Sequence, residues 1–233
     1  MARRFGSIFV LALAQNAEGR SPYDSEPYAS AQMAADEKVH REVVRGLAAR
    51  AREIAAEGAC HLDQFGLAER ATDWRANNNI AESIFQQMRH EPYPTPTWLI
   101  SSPGTGGTLA TLGRYVRYRQ HCTRVLCADA ERSVFFDAYV SGDRGLTLDC
   151  GSRIEGIGRP RVEASFLPEV IDAMVKVPDA WSLAAMHYLA RRLGRRVGGS
   201  SGTNLIGALV AARQMVAAGE IGQRRQQPAE TGK

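Results

Sequence analysis

Residues 97–118 read TWLISSPGTGGTLATLGRYVRY, and the fold of this chain is decided here. The stretch opens with the short apolar run Trp98–Ile100, which is typical of a buried strand. The glycine-rich segment Gly104–Thr108 follows it after two serines and a proline. Apolar side chains then recur at the spacing of a helix face, at Leu109, Leu112 and Tyr115. The stretch therefore predicts a strand, a glycine loop and a helix, in that order.

This order of elements favours a phosphate-binding site at the loop. The first N–H groups of a helix have no partner within the helix, and the helix dipole places partial positive charge at the same end. Glycines allow a ligand to approach the backbone closely, and threonine hydroxyls add donors. We therefore expect a phosphate group at Gly104–Thr108, with a plain strand-to-helix connection as the alternative.

Spacing excludes two familiar phosphate loops. A Rossmann fingerprint needs a small residue where Leu109 stands, and a Walker A loop needs a lysine followed by Ser or Thr. No lysine lies near the loop.

Composition is that of an ordinary globular protein, with 44% hydrophobic and 23% charged residues in 233. The net charge is +4, and the basic residues are almost all arginine, since the lysines are Lys38, Lys176 and Lys233. The basic residues are scattered, so we expect no nucleic-acid partner. The four cysteines form no C-x-x-C pair, which predicts no metal site and a reducing, cytoplasmic location.

The N-terminal residues allow more than one interpretation. Arg3 and Arg4 precede an apolar run over residues 5–14 that resembles a weak secretory signal. A buried strand and an altered gene start are the alternatives. No apolar run approaches the roughly 20 residues of a membrane span, so we expect no membrane partner.

Strand and helix patterns alternate along the rest of the chain. A helix is predicted over Asp36–Glu57 and a short strand over Cys60–Leu62. A helix follows an asparagine N-cap, with a face formed by Ile80, Ile84, Phe85 and Met88. Later elements are a strand at Arg124–Ala128, an ambiguous apolar run at Phe135–Val140, an extended Lys176–Val177, and helices at Trp181–Leu193 and Leu205–Ala218. The alternation predicts an α/β three-layer sandwich with a mostly parallel sheet.

Three glycine motifs occur in a definite order: GTGGT at Gly104–Thr108, IEGIG at Ile154–Gly158 and GGSSGTN at Gly198–Asn204. With these motifs the chain resembles the C-terminal part of the fold type II pyridoxal-phosphate (PLP) enzymes, the cysteine synthase / cystathionine β-synthase family, whose fold is tryptophan synthase β-like. The stretches DQFGLAERATDWRANNNIAESIFQQM and SRIEGIGRPRV resemble the bacterial branch that includes L-cysteine desulfhydrases. The resemblance covers roughly Ala49–Gly219.

The resemblance implies a role for each matching residue. The PLP phosphate would be held by Gly104, Thr105, Gly106, Gly107 and Thr108. Ser200 would face the pyridine nitrogen, with Ser201 as the second candidate and a simple helix N-cap as the alternative role. Gln64 would lie near the substrate carboxylate, unless it is merely a polar surface residue. Gly156 and Gly158 would border the mouth of the site.

The resemblance also implies a reaction class. Family members carry out β-elimination or β-replacement on cysteine or O-acetylserine-like amino acids, and they are often homodimers. Two other interpretations are a non-catalytic PLP- or phosphate-binding remnant that pairs with another subunit, and a flavodoxin-like nucleotide-binding domain.

The chain departs from the family in its lysine. PLP chemistry needs a lysine to hold the cofactor, and in this family it lies well upstream of the GTGGT loop. The surroundings of Lys38 and Lys176 do not match it. We therefore expect an incomplete family fold of doubtful activity: an atypical, partly disordered segment at 1–35, a PLP-enzyme-like domain at 36–222 and a disordered tail at 223–233. Uncovered apolar faces would then favour oligomerisation.

Overall fold

The computed structural model describes residues 8–10, 46–47, 49–59, 63–75 and 79–220. The chain divides into two compact units, one of Met1–Gln15 with Phe65–Lys233 and one of Asn16–Gln64. In the second unit, helix α1 covers residues 49–56 and gives way to Gly58 at φ +105°. This agrees with the helix predicted over Asp36–Glu57 where it is described. The predicted strand at Cys60–Leu62 and the predicted tail at 223–233 lie outside the described residues.

The first unit is built on a parallel sheet. Its strands are β1 (Ile8–Val10), β2 (Trp98–Ser101), β3 (Arg124–Ala130) and β4 (Ala173–Val177), in the spatial order β1-β2-β3-β4. Every neighbouring pair is parallel, and Leu99 lies opposite Phe9 on one side and Val125 on the other. β1 falls within the apolar run at residues 5–14, for which a strand was one of the interpretations.

The described residues of this unit also form five α-helices, the last two of which follow β4 in succession. They are α2 (Ile80–Met88), α3 (Gly107–Tyr118), α4 (Phe135–Ser141), α5 (Asp179–Leu193) and α6 (Gly199–Ala217). α2 begins as predicted, because the side chain of its N-cap Asn79 accepts the N–H of Glu82. The ambiguous run at Phe135–Val140 is helical. The predicted start of the last helix at Leu205 is wrong, since α6 begins at Gly199.

The helices cover both faces of the sheet, which confirms the predicted three-layer α/β arrangement. On one face Leu99 of β2 packs with α2 and α3, and Val125 of β3 packs with α4. On the other face Ile100 and Leu126 pack against α6 through Ala208, Ala211 and Met215. α5 lies against α6. No helix in the described part of the chain is long and apolar enough to span a bilayer.

Candidate functional site

The glycine loop lies at the carboxyl end of β2, directly before α3. Residues Gly104–Gly106 form the loop, and Gly107 and Thr108 already belong to the first turn of the helix. Gly106 is the N-cap of α3 with φ +97°, and no side chain caps the helix. The helix end therefore offers its N–H groups to an anion, as the sequence predicts.

Close backbone contacts explain why this loop is built from glycine. A Cβ on Gly106 would lie 2.7 Å from the Phe166 Cα and from the Ser165 carbonyl oxygen. A Cβ on Gly107 would lie 2.8 Å from the carbonyl oxygen of Ala68. A side chain at either position would therefore displace neighbouring backbone. The loop is thus a cradle of bare backbone, which fits the phosphate end of a PLP molecule.

The second glycine motif packs directly against the loop. A Cβ on Gly104 would lie 2.7 Å from the carbonyl oxygen of Gly156. The N–H of Gly158 donates to the carbonyl of Pro103 at 2.7 Å, and Gly158 itself has φ +72°. The structure therefore brings together two of the regions that the sequence predicts to share a site.

The third motif joins the same cluster through the start of α6. The hydroxyl of Ser102, directly after β2, donates to the side-chain oxygen of Asn204 at 2.6 Å. A Cβ on Gly199 would lie 3.0 Å from the Ile154 Cγ2 atom. Each of the three motifs, or the residues immediately before it, therefore contacts the other two.

Ser200 lies in the first turn of α6 and is half-buried, whereas Ser201 is 1% exposed. The helix N-cap is Gly198, so the alternative that Ser200 serves as the N-cap is wrong. Of the two serines, Ser200 is the one with a surface that a ligand can reach.

Arg159 is a site residue that sequence reasoning missed. Its Nε atom donates to the carbonyl oxygen of Gly104 at 3.0 Å, and its guanidinium carbon lies 4.9 Å from the centre of the Phe65 ring. The residue lies within the quoted stretch SRIEGIGRPRV, but nothing in its spacing signals a contact with a loop 55 residues earlier.

Ser165 supports the other side of the loop. Its hydroxyl accepts the N–H of Glu69 at 3.2 Å and lies 3.0 Å from the carbonyl oxygens of Phe65 and Gly66, to which it can donate. Since the Ser165 carbonyl itself abuts Gly106, this serine fastens residues 65–69 beside the loop.

The structure assigns no contact with the glycine loop to the other predicted residues that it describes. Gln64 belongs to the unit Asn16–Gln64 and is exposed, so its role toward a substrate carboxylate stays a prediction. Lys176 on β4 places its ammonium 2.8 Å from the Asp137 carboxylate of α4. Lys38 lies outside the described residues. In the described part of the chain no three His, Cys, Asp or Glu side chains come together to hold a metal.

A buried carboxylate lies near the carboxyl end of the neighbouring strand β3. Asp129 of β3 is fully buried and accepts the N–H groups of Ala130 at 3.0 Å and Phe136 at 2.8 Å. Burial raises its pKa to about 6, although these donors and the nearby Lys176 act in the opposite direction. Its hydrogen bonds join the carboxyl end of the inner strand β3 to the start of α4.

Comparison with known proteins gives the family. The sequence pattern of the family described as "Pyridoxal-phosphate dependent enzyme" matches residues 11–225. The chain is 58% identical over 175 residues to L-cysteine desulfhydrase Cds1 of Mycobacterium tuberculosis, a match that covers 75% of this chain and 48% of that protein.

Less similar relatives include a cysteine synthase and a cystathionine beta-synthase. The chain is 29% identical over 165 residues to cysteine synthase 2 of Emericella nidulans, covering 66% of this chain and 37% of the relative. It is 30% identical over 118 residues to cystathionine beta-synthase of Apis mellifera, covering 51% and 23%. The chain thus spans about half the length, or less, of these relatives.

The resemblance inferred from the three glycine motifs is confirmed, and so is the cofactor of the family. The match to residues 11–225 covers all three motifs, at Gly104–Thr108, Ile154–Gly158 and Gly198–Asn204. The chain belongs to the family of pyridoxal-phosphate dependent enzymes.

Proposed function

We propose that this chain supplies the phosphate-binding and pyridine-facing part of a PLP-dependent enzyme of cysteine metabolism. The reaction would be β-elimination on L-cysteine, or the related β-replacement on O-acetylserine-like amino acids. The observation that carries this proposal is the mutual contact of the three glycine motifs at one end of the sheet. The similarity to an L-cysteine desulfhydrase supports the choice of substrate class.

Gly104, Thr105, Gly106, Gly107 and Thr108 would hold the cofactor phosphate. When bound, the cofactor withdraws electrons from the α-carbon of an amino acid, so that the α-proton becomes acidic. Ser200 would face the pyridine nitrogen with a neutral hydroxyl. Such a partner leaves that nitrogen largely unprotonated, which moderates the withdrawal of electrons and favours chemistry at the β-carbon.

We assign the substrate side of the site to three residues. The turn Ile154–Gly158, which we call the mouth turn, carries Gly156, which is exposed, and Gly158, which is buried at positive φ. Both would border the entrance that the amino acid passes. Gln64 would donate its side-chain amide to the substrate carboxylate.

A lysine must still hold the cofactor and move the α-proton. Within the described residues the lysine is Lys176, whose ammonium is paired with Asp137. We therefore propose that the reactive amine comes from Lys38, from a further segment of a longer protein, or from another chain. In the last case this chain is a non-catalytic PLP-binding partner, which is the second candidate function.

Titration of the purified chain with PLP, followed by absorbance, tests these assignments. We expect saturable binding, and weaker binding of pyridoxal, which lacks the phosphate. Borohydride reduction and mass spectrometry of the product then decide between the two candidates. A covalent adduct on Lys38 supports the enzyme, binding without an adduct supports the partner subunit, and no binding contradicts both.

A matched pair of glycine variants tests the loop itself. In Gly104→Ala the new Cβ would meet the backbone oxygen of Gly156 at 2.7 Å, so we expect PLP binding to fall at least tenfold, a loss of about 1.4 kcal/mol. In Gly151→Ala the nearest atom lies at 3.9 Å, and binding should stay unchanged. Equal effects of the two changes would contradict the assigned role of the loop.

We also propose that the protein acts in the cytoplasm and forms a homodimer. The cysteines that the structure describes, Cys122, Cys127 and Cys150, are free thiols, which supports a reducing compartment. Exposed apolar side chains on α5 and α6 support association with a second copy.

A further inference from the structure

Arg159 is a cationic side chain that is hydrogen-bonded to the glycine loop. Its Nε atom donates to the carbonyl oxygen of Gly104 at 3.0 Å. That carbonyl shares a single peptide group with the N–H of Thr105, the next residue of the loop. A positive charge on the oxygen draws electrons away from the nitrogen, so the Thr105 N–H becomes a stronger donor.

The surroundings of Arg159 fix its position. Its own N–H donates to the hydroxyl of Ser133 at 3.3 Å, and its carbonyl accepts the N–H of Val134 at 3.0 Å. The guanidinium also lies against the Phe65 ring, with its carbon 4.9 Å from the ring centre. Hydrogen bonds therefore hold the backbone of Arg159 in place, and the Phe65 ring holds its guanidinium.

The charge of Arg159 also lacks an ion-pair partner within the described residues. Arg161, two residues further along, provides the contrast, since its Nε atom lies 3.1 Å from a carboxylate oxygen of Glu163. An arginine that no carboxylate neutralises keeps a net attraction for a nearby anion.

We propose that Arg159 is a positioning residue that strengthens phosphate binding by the loop, acting through the Gly104–Thr105 peptide. This inference rests on the proposed function, because it concerns the same phosphate site. The inference adds Arg159, which lies outside Gly104–Thr108, to the residues that support phosphate binding. It also predicts a specific signature, because only ligands that carry a phosphate or a similar anion should depend on Arg159.

The test compares ligands with and without the phosphate on a set of variants. PLP, pyridoxal and inorganic phosphate are titrated against the wild-type chain, Arg159→Met, Arg159→Lys and the control Arg161→Met. We expect Arg159→Met to weaken PLP about tenfold, as for the loss of one charge-assisted hydrogen bond, and to change pyridoxal less than twofold. Arg159→Lys keeps the charge and should restore part of the PLP affinity, and Arg161→Met should match the wild type.

Several outcomes would overturn the proposal. Equal weakening of PLP and pyridoxal in Arg159→Met would mean that the residue only supports the fold. Unchanged PLP affinity, or an equal loss in Arg161→Met, would contradict it as well. If Arg159→Met fails to fold, Arg159→Lys decides: retained selectivity for PLP over pyridoxal supports a role of the charge, and lost selectivity contradicts it.

Inorganic phosphate separates this inference from the proposed function. A wild-type chain that binds phosphate but neither PLP nor pyridoxal would contradict the cofactor assignment. The role of Arg159 would then be judged from the loss of phosphate-induced thermal stabilisation in Arg159→Met. A wild-type chain that binds none of the three ligands would overturn both proposals.

Discussion

At the scale of single residues, Asp129 is a carboxyl group whose burial sets a pH dependence. Its oxygens accept two backbone N–H groups, which stabilise the ionised form, but the group is completely buried. Burial dominates and raises its pKa to about 6, from an ordinary value of 3.8. The folded protein therefore keeps a proton on Asp129 in a range where the unfolded chain has lost it.

This difference predicts that the contribution of Asp129 to stability falls as pH rises from about 4 to about 6. The folded state binds more protons than the unfolded state there, so the free energy of unfolding has a negative slope with pH. Asp129→Asn should remove this part of the slope, worth up to about 3 kcal/mol across the range. Urea unfolding of both proteins at several pH values measures it. Asp149→Asn, at an exposed position, is the control, and parallel curves for Asp129→Asn and wild type would contradict the prediction.

Residue-level prediction from the sequence succeeded where the signal is local. The Gly104–Thr108 loop is recognisable because a strand, glycines and a helix follow one another within 22 residues of the quoted stretch. The bond from Ser102 to Asn204 joins residues 102 positions apart, and the contact from Arg159 to Gly104 spans 55. No periodicity or local composition in the sequence indicates either contact, because both form only when the strands assemble into the sheet.

At the scale of elements, α5 and α6 approach so closely that their contact requires glycine. A Cβ on Gly202 would lie 1.9 Å from the carbonyl oxygen of Ser182 and 2.8 Å from the backbone nitrogen of Met186. Beside this point the hydroxyl of Thr203 donates to that of Ser182 at 2.8 Å. The contact holds the first turns of α6, and therefore Ser200, in place.

Gly202→Ala gives a test in which two effects have opposite signs. Helix propensity alone predicts a gain of about 1 kcal/mol, because alanine is the better helix former. The backbone clash with α5 predicts a net loss of roughly 1–3 kcal/mol or more, since the helices must separate. We expect the loss, seen as a lower melting temperature by circular dichroism. Gly198→Ala, whose Cβ would meet nothing closer than 3.7 Å, should leave the melting temperature nearly unchanged, and a stabilised Gly202→Ala would refute the packing argument.

The same contact explains why the start of α6 could not be predicted. Residues 198–204 are small and polar, a composition typical of turns, and the sequence therefore predicts a helix only from Leu205. In the structure the small residues are helical because they allow α6 to lie against α5 and the mouth turn. Over Gly199–Asn204, which includes Ser200, tertiary packing therefore overrides the local preference for a turn.

At the scale of the whole molecule, the helices on one face of the sheet leave apolar side chains exposed. Trp181 and Tyr188 of α5 are 58% and 51% exposed, and Leu209 and Val216 of α6 are 57% and 53% exposed. The two residues of each pair are seven positions apart, so each pair lies along one stripe of its helix. Exposed apolar side chains that share a stripe of a helix are typical of an interaction site.

We therefore predict that the purified chain associates with itself as its concentration rises. Sedimentation velocity over a range of concentrations should show a shift from monomer to dimer or larger species. The double variant Leu209→Gln with Val216→Gln should remain monomeric, and its melting temperature should change little, since both side chains are already exposed. Val140→Gln on α4, at a position that is 69% exposed, removes an apolar side chain from another helix and should leave association unchanged. A wild-type chain that stays monomeric at every concentration, or a double variant that associates equally well, would show that these stripes do not form the interface.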